Sequence, residues 1–150
     1  MVSFDGGAGR YRPEMRTLVP LADVCIVARE FAEHFTQESD PPAAASRLLG
    51  EGPQLVVITD GLRGSWVYPA GKPSFHQPAF PLAQPVDTTG CGDAYHAAFL
   101  FALLRDMPLQ SAAAFASAAA ALNARRLGGR SGLPSRAEVE AFLAERQATR

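Results

Sequence analysis

Short apolar runs and helical stretches alternate through the first half of the chain, and apolar positions at helical spacing dominate the second half. Val2-Ser3-Phe4 is a β-prone run that ends in Asp5-Gly6-Gly7, and Ala22-Asp23-Val24-Cys25-Ile26-Val27 is a second that leads into a helical stretch from Arg29. Pro41-Pro42 breaks that stretch, and Ala43 to Leu49 predicts a short helix. Gly50-Glu51-Gly52-Pro53 then turns the chain into Gln54-Leu55-Val56-Val57-Ile58-Thr59, the clearest strand in the sequence. Its apolar residues run on without alternation, the mark of a strand buried on both faces, as in a parallel α/β sheet. Ser65-Trp66-Val67-Tyr68 is a further short run that places Trp66 and Tyr68 on one face, where they read as packing or edge cover. The proline-punctuated passage from there to Pro85 reads as irregular chain or an edge hairpin.

Helix returns at Gly92, and the segments Ala94 to Leu104, Leu109 to Leu127 and Arg136 to Gln147 predict three consecutive helices. Gly128-Gly129 reads as the stop signal of the second. Ser135-Arg136-Ala137-Glu138 opens the third as a capping box, in which serine and glutamate satisfy each other's unpaired amides. The alanine-rich stretch from Ala112 to Ala121 points to close helix packing. Strands alternating with helices, followed by helices alone, predict an α/β fold with a mostly parallel sheet and flanking helices.

A chain of 150 residues, 47% hydrophobic and 19% charged, suits one soluble globular domain over residues 1–150 and excludes a fibrous repeat or a disordered tail. Such a length buries roughly 68 to 70% of the unfolded surface, so a core forms without staples. Cys25 and Cys91 are therefore no disulfide framework. Lys+Arg 14 against Asp+Glu 15, with no basic stripe, argues against nucleic acid and anionic membrane as partners. No apolar run approaches the ~20 residues of a membrane span. The first residues, with acidic Asp5 among glycines, lack the pattern of a signal peptide, so a cytoplasmic location is expected.

The stretch richest in chemistry is Val86-Asp87-Thr88-Thr89-Gly90-Cys91-Gly92-Asp93-Ala94, where a β-prone segment meets two close glycines, an aspartate and a long apolar helix. Glycines let backbone amides converge on one spot, and the helix start adds partial positive charge, so the loop suits a phosphate. Asp93 could accept a proton from a hydroxyl attacking that phosphate, or simply cap the helix. A dinucleotide fingerprint needs a glycine where Tyr95 stands, and a P-loop needs a lysine, of which Lys72 is the sole example in the chain. Cys91 and His96, five residues apart, do not face each other as a thiol-imidazole pair. His34, His76 and His96 show no zinc-ligand spacing. Arg10, Arg12 and Arg16 read as a solvated loop.

The run Asp87-Thr88-Thr89-Gly90-Cys91-Gly92-Asp93-Ala94-Tyr95-His96-Ala97-Ala98-Phe99 resembles the C-terminal signature of the ribokinase-like (PfkB) carbohydrate kinases. That resemblance implies transfer of the γ-phosphoryl group of ATP to a primary hydroxyl of a sugar or sugar-like acceptor. It makes Asp93 the base and the amides around Gly90, Cys91 and Gly92 the anion hole. Thr59-Asp60-Gly61-Leu62-Arg63-Gly64 resembles the family's Thr-x-Gly-x-x-Gly turn along the nucleotide, and Ser117 falls where the family lines its adenine pocket. Arg126-Leu127-Gly128-Gly129 and Gly132-Leu133-Pro134 look like the family's closing loop. By the same resemblance, Asp87, Thr89, Asn123, Arg126, Gly128 and Gly132 inherit a site for a monovalent cation such as K⁺.

Two departures stand out. The family's Asn-x-x-Glu, which helps arrange Mg²⁺ and phosphates, aligns with Ala28 and Phe31, with Glu30 one residue out of register. Family members also run to about twice this length, so the resemblance covers the family's C-terminal half, without the sugar-binding N-terminal half and its lid. The expectation is a partial Rossmann-like, ribokinase-like fold whose exposed sheet edge favours a homodimer over a monomer. A competing expectation is a truncated fragment that binds nucleotide without catalysis.

Overall fold

The structure is a computed structural model that describes residues Met1–Ala148. The chain forms two compact units, Met1–His76 and Gln77–Arg150.

The first unit is built on a sheet of five strands in the order of the sequence: β1 (Ser3–Gly6), β2 (Val24–Ala28), β3 (Leu55–Thr59), β4 (Ser65–Pro69) and β5 (Phe75–Gln77). β1, β2 and β3 run parallel, and β4 returns antiparallel to β3. The register explains the core. Phe4 lies beside Cys25, Cys25 beside Val56 and Val56 beside Tyr68; one step along, Gly6, Val27, Ile58 and Trp66 form a second row. Since alternate residues share a face, both rows point the same way. Onto them pack α1 (Arg29–Thr36) through Phe31 and Phe35, and α2 (Pro41–Gly50) through Ala44, Ala45 and Leu48. Gly6, the last residue of β1, leaves no room for a side chain, since a Cβ there would meet Val27 at 2.6 Å and the Phe31 ring at 2.7 Å. Leu55 to Ile58 are all buried, as a run without polar alternation requires. Trp66 and Tyr68 pack on this core as expected.

Two details differ from the sequence expectation. Pro41 and Pro42 do not merely break a helix; they open α2, with Asp40 accepting the Ala43 amide at 3.2 Å as its cap. Proline lacks an amide that the first turn would leave unpaired anyway. The link between β1 and β2 is two 3₁₀ turns, Pro13–Thr17 and Val19–Leu21. There Arg16, exposed as the solvated-loop reading expects, also lies over the Phe35 ring at 4.7 Å and donates to Tyr11 Oη and the Phe35 carbonyl.

The second unit holds α3 (Cys91–Leu103), α4 (Leu109–Asn123) and α5 (Arg136–Ala148). Small alanines let α3 and α4 approach closely, and Ala112, Ala113, Ala116, Ala118 and Ala119 are all buried. Phe115, Leu122, Val139 and Phe142 form its apolar centre. The capping box is present: Ser135 N donates to Glu138 Oε2 at 2.7 Å, and Glu138 N donates to Ser135 Oγ at 3.3 Å. α4, however, stops at Asn123, well before Gly128-Gly129. The Ala124 carbonyl just beyond it accepts the Val86 and Asp87 amides, so tertiary bonds end the helix and the two glycines serve elsewhere.

Phe31 is 1% exposed, with ring centroids of Phe4, Tyr11 and Phe35 within 5.5, 5.6 and 6.0 Å. Phe31→Ala is expected to destabilise the protein by about 3–5 kcal/mol through the cavity it leaves, read as a lowered midpoint in urea unfolding.

Candidate active site

The loop before α3 is shaped by a few short contacts. Asp87 Oδ1 accepts the Thr89 amide at 2.8 Å, and its Oδ2 accepts the Gly128 amide at 2.8 Å. These two amides hold the Asp87 carboxyl below the usual carboxylate range, the Thr89 amide most strongly. Asn123 Nδ2 donates to the Thr89 carbonyl at 3.1 Å. Gly90 then takes a left-handed φ of 74° and caps α3. A Cβ on Gly90 would sit 2.6 Å from the Gly129 carbonyl oxygen, so this crossing admits only glycine.

The helix tip follows from that turn. The Cys91 amide donates to the Thr88 carbonyl at 3.1 Å, and the Ala94 amide to the Gly90 carbonyl at 2.9 Å. What remains are the amides of Gly92 and Asp93, which a helix cannot pair within itself. Gly92 has open space around its Cβ position, and Asp93 is exposed at the third helical position. The Cys91 thiol instead donates to the Ala120 carbonyl of α4 at 3.4 Å, and burial pushes it up, away from thiolate chemistry. Cys25 is pushed up to about 12 in the core of the first unit.

The six residues expected to hold a monovalent cation come together. Besides the contacts of Asp87, Thr89 and Gly128, the Arg126 amide reaches the Asn123 carbonyl at 3.4 Å, against which Gly132 packs too closely for any side chain. Asn123 is fully buried, and its Oδ1 has no hydrogen-bond partner among the described residues. An unpaired buried acceptor suits a cation or a water. For Mg²⁺ the picture differs: among the described residues no group of three His, Cys, Asp or Glu could hold a metal ion. Phe31, where the family glutamate was expected, is core.

The other expected residues lie apart from this loop in the chain. Thr59 to Gly64 belong to the first unit, where Thr59 Oγ1 donates to the Val27 carbonyl at 3.4 Å and Gly61 and Gly64 take φ of 51° and 93°. Ser117 is buried on α4 and donates to the Pro78 carbonyl at 3.4 Å. Sequence reasoning missed Gly129 and the Ala124 carbonyl. The doublet Gly128-Gly129 was the available signal, but it reads equally as a helix stop.

Residues 4–136 match the pfkB family carbohydrate kinases, and the chain belongs to that family. It is 39% identical over 111 residues to the ribokinase of Bacillus subtilis (strain 168), covering 74% of this chain and 37% of that protein. The structure of Arabidopsis thaliana ribokinase complexed with ribose and ATP matches 93% of this chain with 46% of its own, at a TM-score of 0.85 and 26% identity. Fructokinase from Vibrio cholerae O395, solved with fructose, ADP and calcium ion, matches 95% of this chain with 50% of its own, at a TM-score of 0.81 and 26% identity. The chain thus spans half or less of the length of these relatives. No helix among the described residues is long and apolar enough to cross a membrane.

Gly90→Ala is expected to cost about 1–3 kcal/mol, whereas Gly92→Ala stays within about 0.5 kcal/mol of wild type, as compared by thermal unfolding. Because the folded Asp87 value is the lower one, its carboxylate stabilises the fold fully above about pH 4, and that contribution is lost as pH falls through the folded value. Urea midpoints of wild type are therefore expected to fall more steeply between about pH 5 and about pH 3 than those of Asp87→Asn.

Proposed function

We propose that this chain is the phosphoryl-transfer part of an ATP-dependent carbohydrate kinase, acting on a primary hydroxyl of a sugar or sugar-like acceptor. The observation that carries the reading is the tip of α3, where the Gly92 and Asp93 amides stand open beside the exposed Asp93 carboxylate. A transferring phosphoryl group carries its charge on three oxygens, and fixed amides at a helix start meet that charge without reorganising. Asp93 takes the proton of the acceptor hydroxyl as its oxygen bonds to the γ-phosphorus and the bond from that phosphorus to the ADP leaving oxygen breaks. Thr59 to Gly64 act on the nucleotide through their backbone, and Ser117 borders the base. The Gly90 crossing and the Asp87 contacts hold the anion hole; the Cys91 amide, bound to the Thr88 carbonyl, is not one of its donors.

Mg²⁺ would neutralise phosphate charge when bound, and among the described residues no group of three His, Cys, Asp or Glu could hold it. The unpaired Asn123 Oδ1 supports a monovalent cation site, which Asp87, Thr89, Asn123, Arg126, Gly128 and Gly132 would hold. The protein works in the cytoplasm.

A second reading has its own observation. β1 is the edge strand of its sheet, and Met1, Val2, Leu18 and Leu21 beside it are 49 to 68% exposed. An open edge with apolar neighbours calls for a partner. In that reading the chain binds nucleotide but turns over only with the half that its relatives possess, or as a homodimer.

The test is calorimetric titration with a non-hydrolysable ATP analogue and Mg²⁺, with wild type beside Gly92→Val, and ADP release followed against a panel of sugars. Wild type is expected to bind and Gly92→Val to lose binding. Sugar-dependent turnover that falls about 10²–10⁴-fold in Asp93→Asn supports the kinase reading in full. Binding without turnover leaves the nucleotide-binding reading, and no binding by wild type refutes both.

A further inference from the structure

Asp60 lies within the Thr59–Gly64 turn, yet its carboxylate points back into the protein. Its Oδ2 accepts from Arg63 Nε at 2.7 Å and its Oδ1 from Arg63 Nη2 at 2.8 Å, a guanidinium fork closed on both oxygens. The same Oδ2 accepts from Arg29 Nη1, in the first turn of α1, at 3.2 Å. Arg29 is itself fixed by Glu33 Oε1 at 2.8 Å and the Ser39 carbonyl at 3.3 Å. The Asp60 side chain is only 13% exposed, and these contacts hold its carboxyl below the usual range, the hydrogen bonds of Arg63 foremost.

The turn has little else to hold it. Its helical part is the three residues Gly61–Arg63, which opens on Gly61 and is followed by Gly64, both at positive φ, and Leu62 at its tip is 89% exposed. Backbone bonds close it from Asp60 N to Gly64 O and from Arg63 N to Asp60 O. Outside the turn, His76 Nε2 donates to the Arg63 carbonyl at 2.7 Å while its ring lies tilted against Trp66, with centroids 4.5 Å apart.

Resting on the nucleotide-loop reading above, we propose that Asp60 is a positioning residue. It pins the turn between Arg63 and Arg29, so that the loop meets the nucleotide with a preset backbone, and it keeps the Arg63 guanidinium folded back instead of offered to phosphate. The loop then recognises nucleotide by shape and amide geometry, and its charge is spent internally.

The two roles open to Arg63 predict opposite signs. Calorimetric titration with a non-hydrolysable ATP analogue and Mg²⁺ compares wild type with Asp60→Asn, Arg63→Ala and the double variant. Each single variant is expected to bind about threefold to fivefold more weakly, the scale of a partly exposed ion pair, and the double variant no more weakly than either. Because the Arg63 side chain is 67% exposed, Arg63→Ala is expected to shift the thermal midpoint little, and midpoints measured alongside separate affinity from folding. If the chain turns over, KM for ATP rises and kcat holds. Unchanged affinity in Arg63→Ala, or tighter and more salt-sensitive binding in Asp60→Asn, overturns the proposal while leaving the nucleotide reading intact. Failure of wild type to bind overturns the nucleotide reading and this proposal with it.

Discussion

The second unit depends on one carboxylate. Asp87 joins the start of the glycine turn, through Thr89, to the segment beyond α4, through Gly128, and so decides where Gly90 and Gly129 cross. Every later feature follows from that crossing. Gly90 can take its left-handed φ only because it has no Cβ, and that φ directs the chain into α3 with the Cys91 amide turned onto Thr88. The amides left over at the tip are thus Gly92 and Asp93. Asn123 supports the same turn from beneath, giving its Nδ2 to Thr89 and keeping a buried oxygen unpaired.

In the first unit, apolar packing stands where polar chemistry was expected. The row of Gly6, Val27, Ile58 and Trp66 leaves room for a large ring, and Phe31 fills it, stacked among Phe4, Tyr11 and Phe35. A glutamate there would need burial of a charge without a partner, which costs several kcal/mol. Glu30, one position on, is exposed and cannot take over that place in the helix, since adjacent residues face about 100° apart. Among the ion pairs of this unit, Asp60, Arg29, Arg63 and Glu33 form a connected network.

What could be read from the sequence follows the range of the interactions. β3 was legible because Leu55 to Ile58 state their burial in four adjacent residues, and the box of Ser135 and Glu138 because both partners lie within one turn. The end of α4 was not: nothing near Asn123 announces it, and the bonds that set it come from Val86 and Asp87. The same holds for the site. Gly90, Gly92 and Asp93 are adjacent, so their loop could be found from spacing alone, and the structure puts that spacing at a helix start. Gly129 was visible as a residue but not as a contact, because its partner lies far back along the chain. Whether Asp60 would face a ligand or the protein was also invisible, since Arg29 is distant in sequence.

The contrast between the two loops bears on how such a chain would work. At the tip of α3 the open donors are backbone amides and the exposed carboxylate beside them is Asp93, which the proposed function assigns to phosphate charge and to a proton. In the Thr59–Gly64 turn the charges cancel among themselves, so that site has shape without net charge. On the proposed reading this division is what discriminates: affinity for the nucleotide body rests on a preset turn, while attraction for the transferring group is concentrated where bonds change. Electrostatic stabilisation that acts only at the reacting centre raises the rate instead of merely tightening substrate binding. On that reading the turn alone would suffice to hold nucleotide, whereas the tip of α3 would act only once a hydroxyl is brought to Asp93.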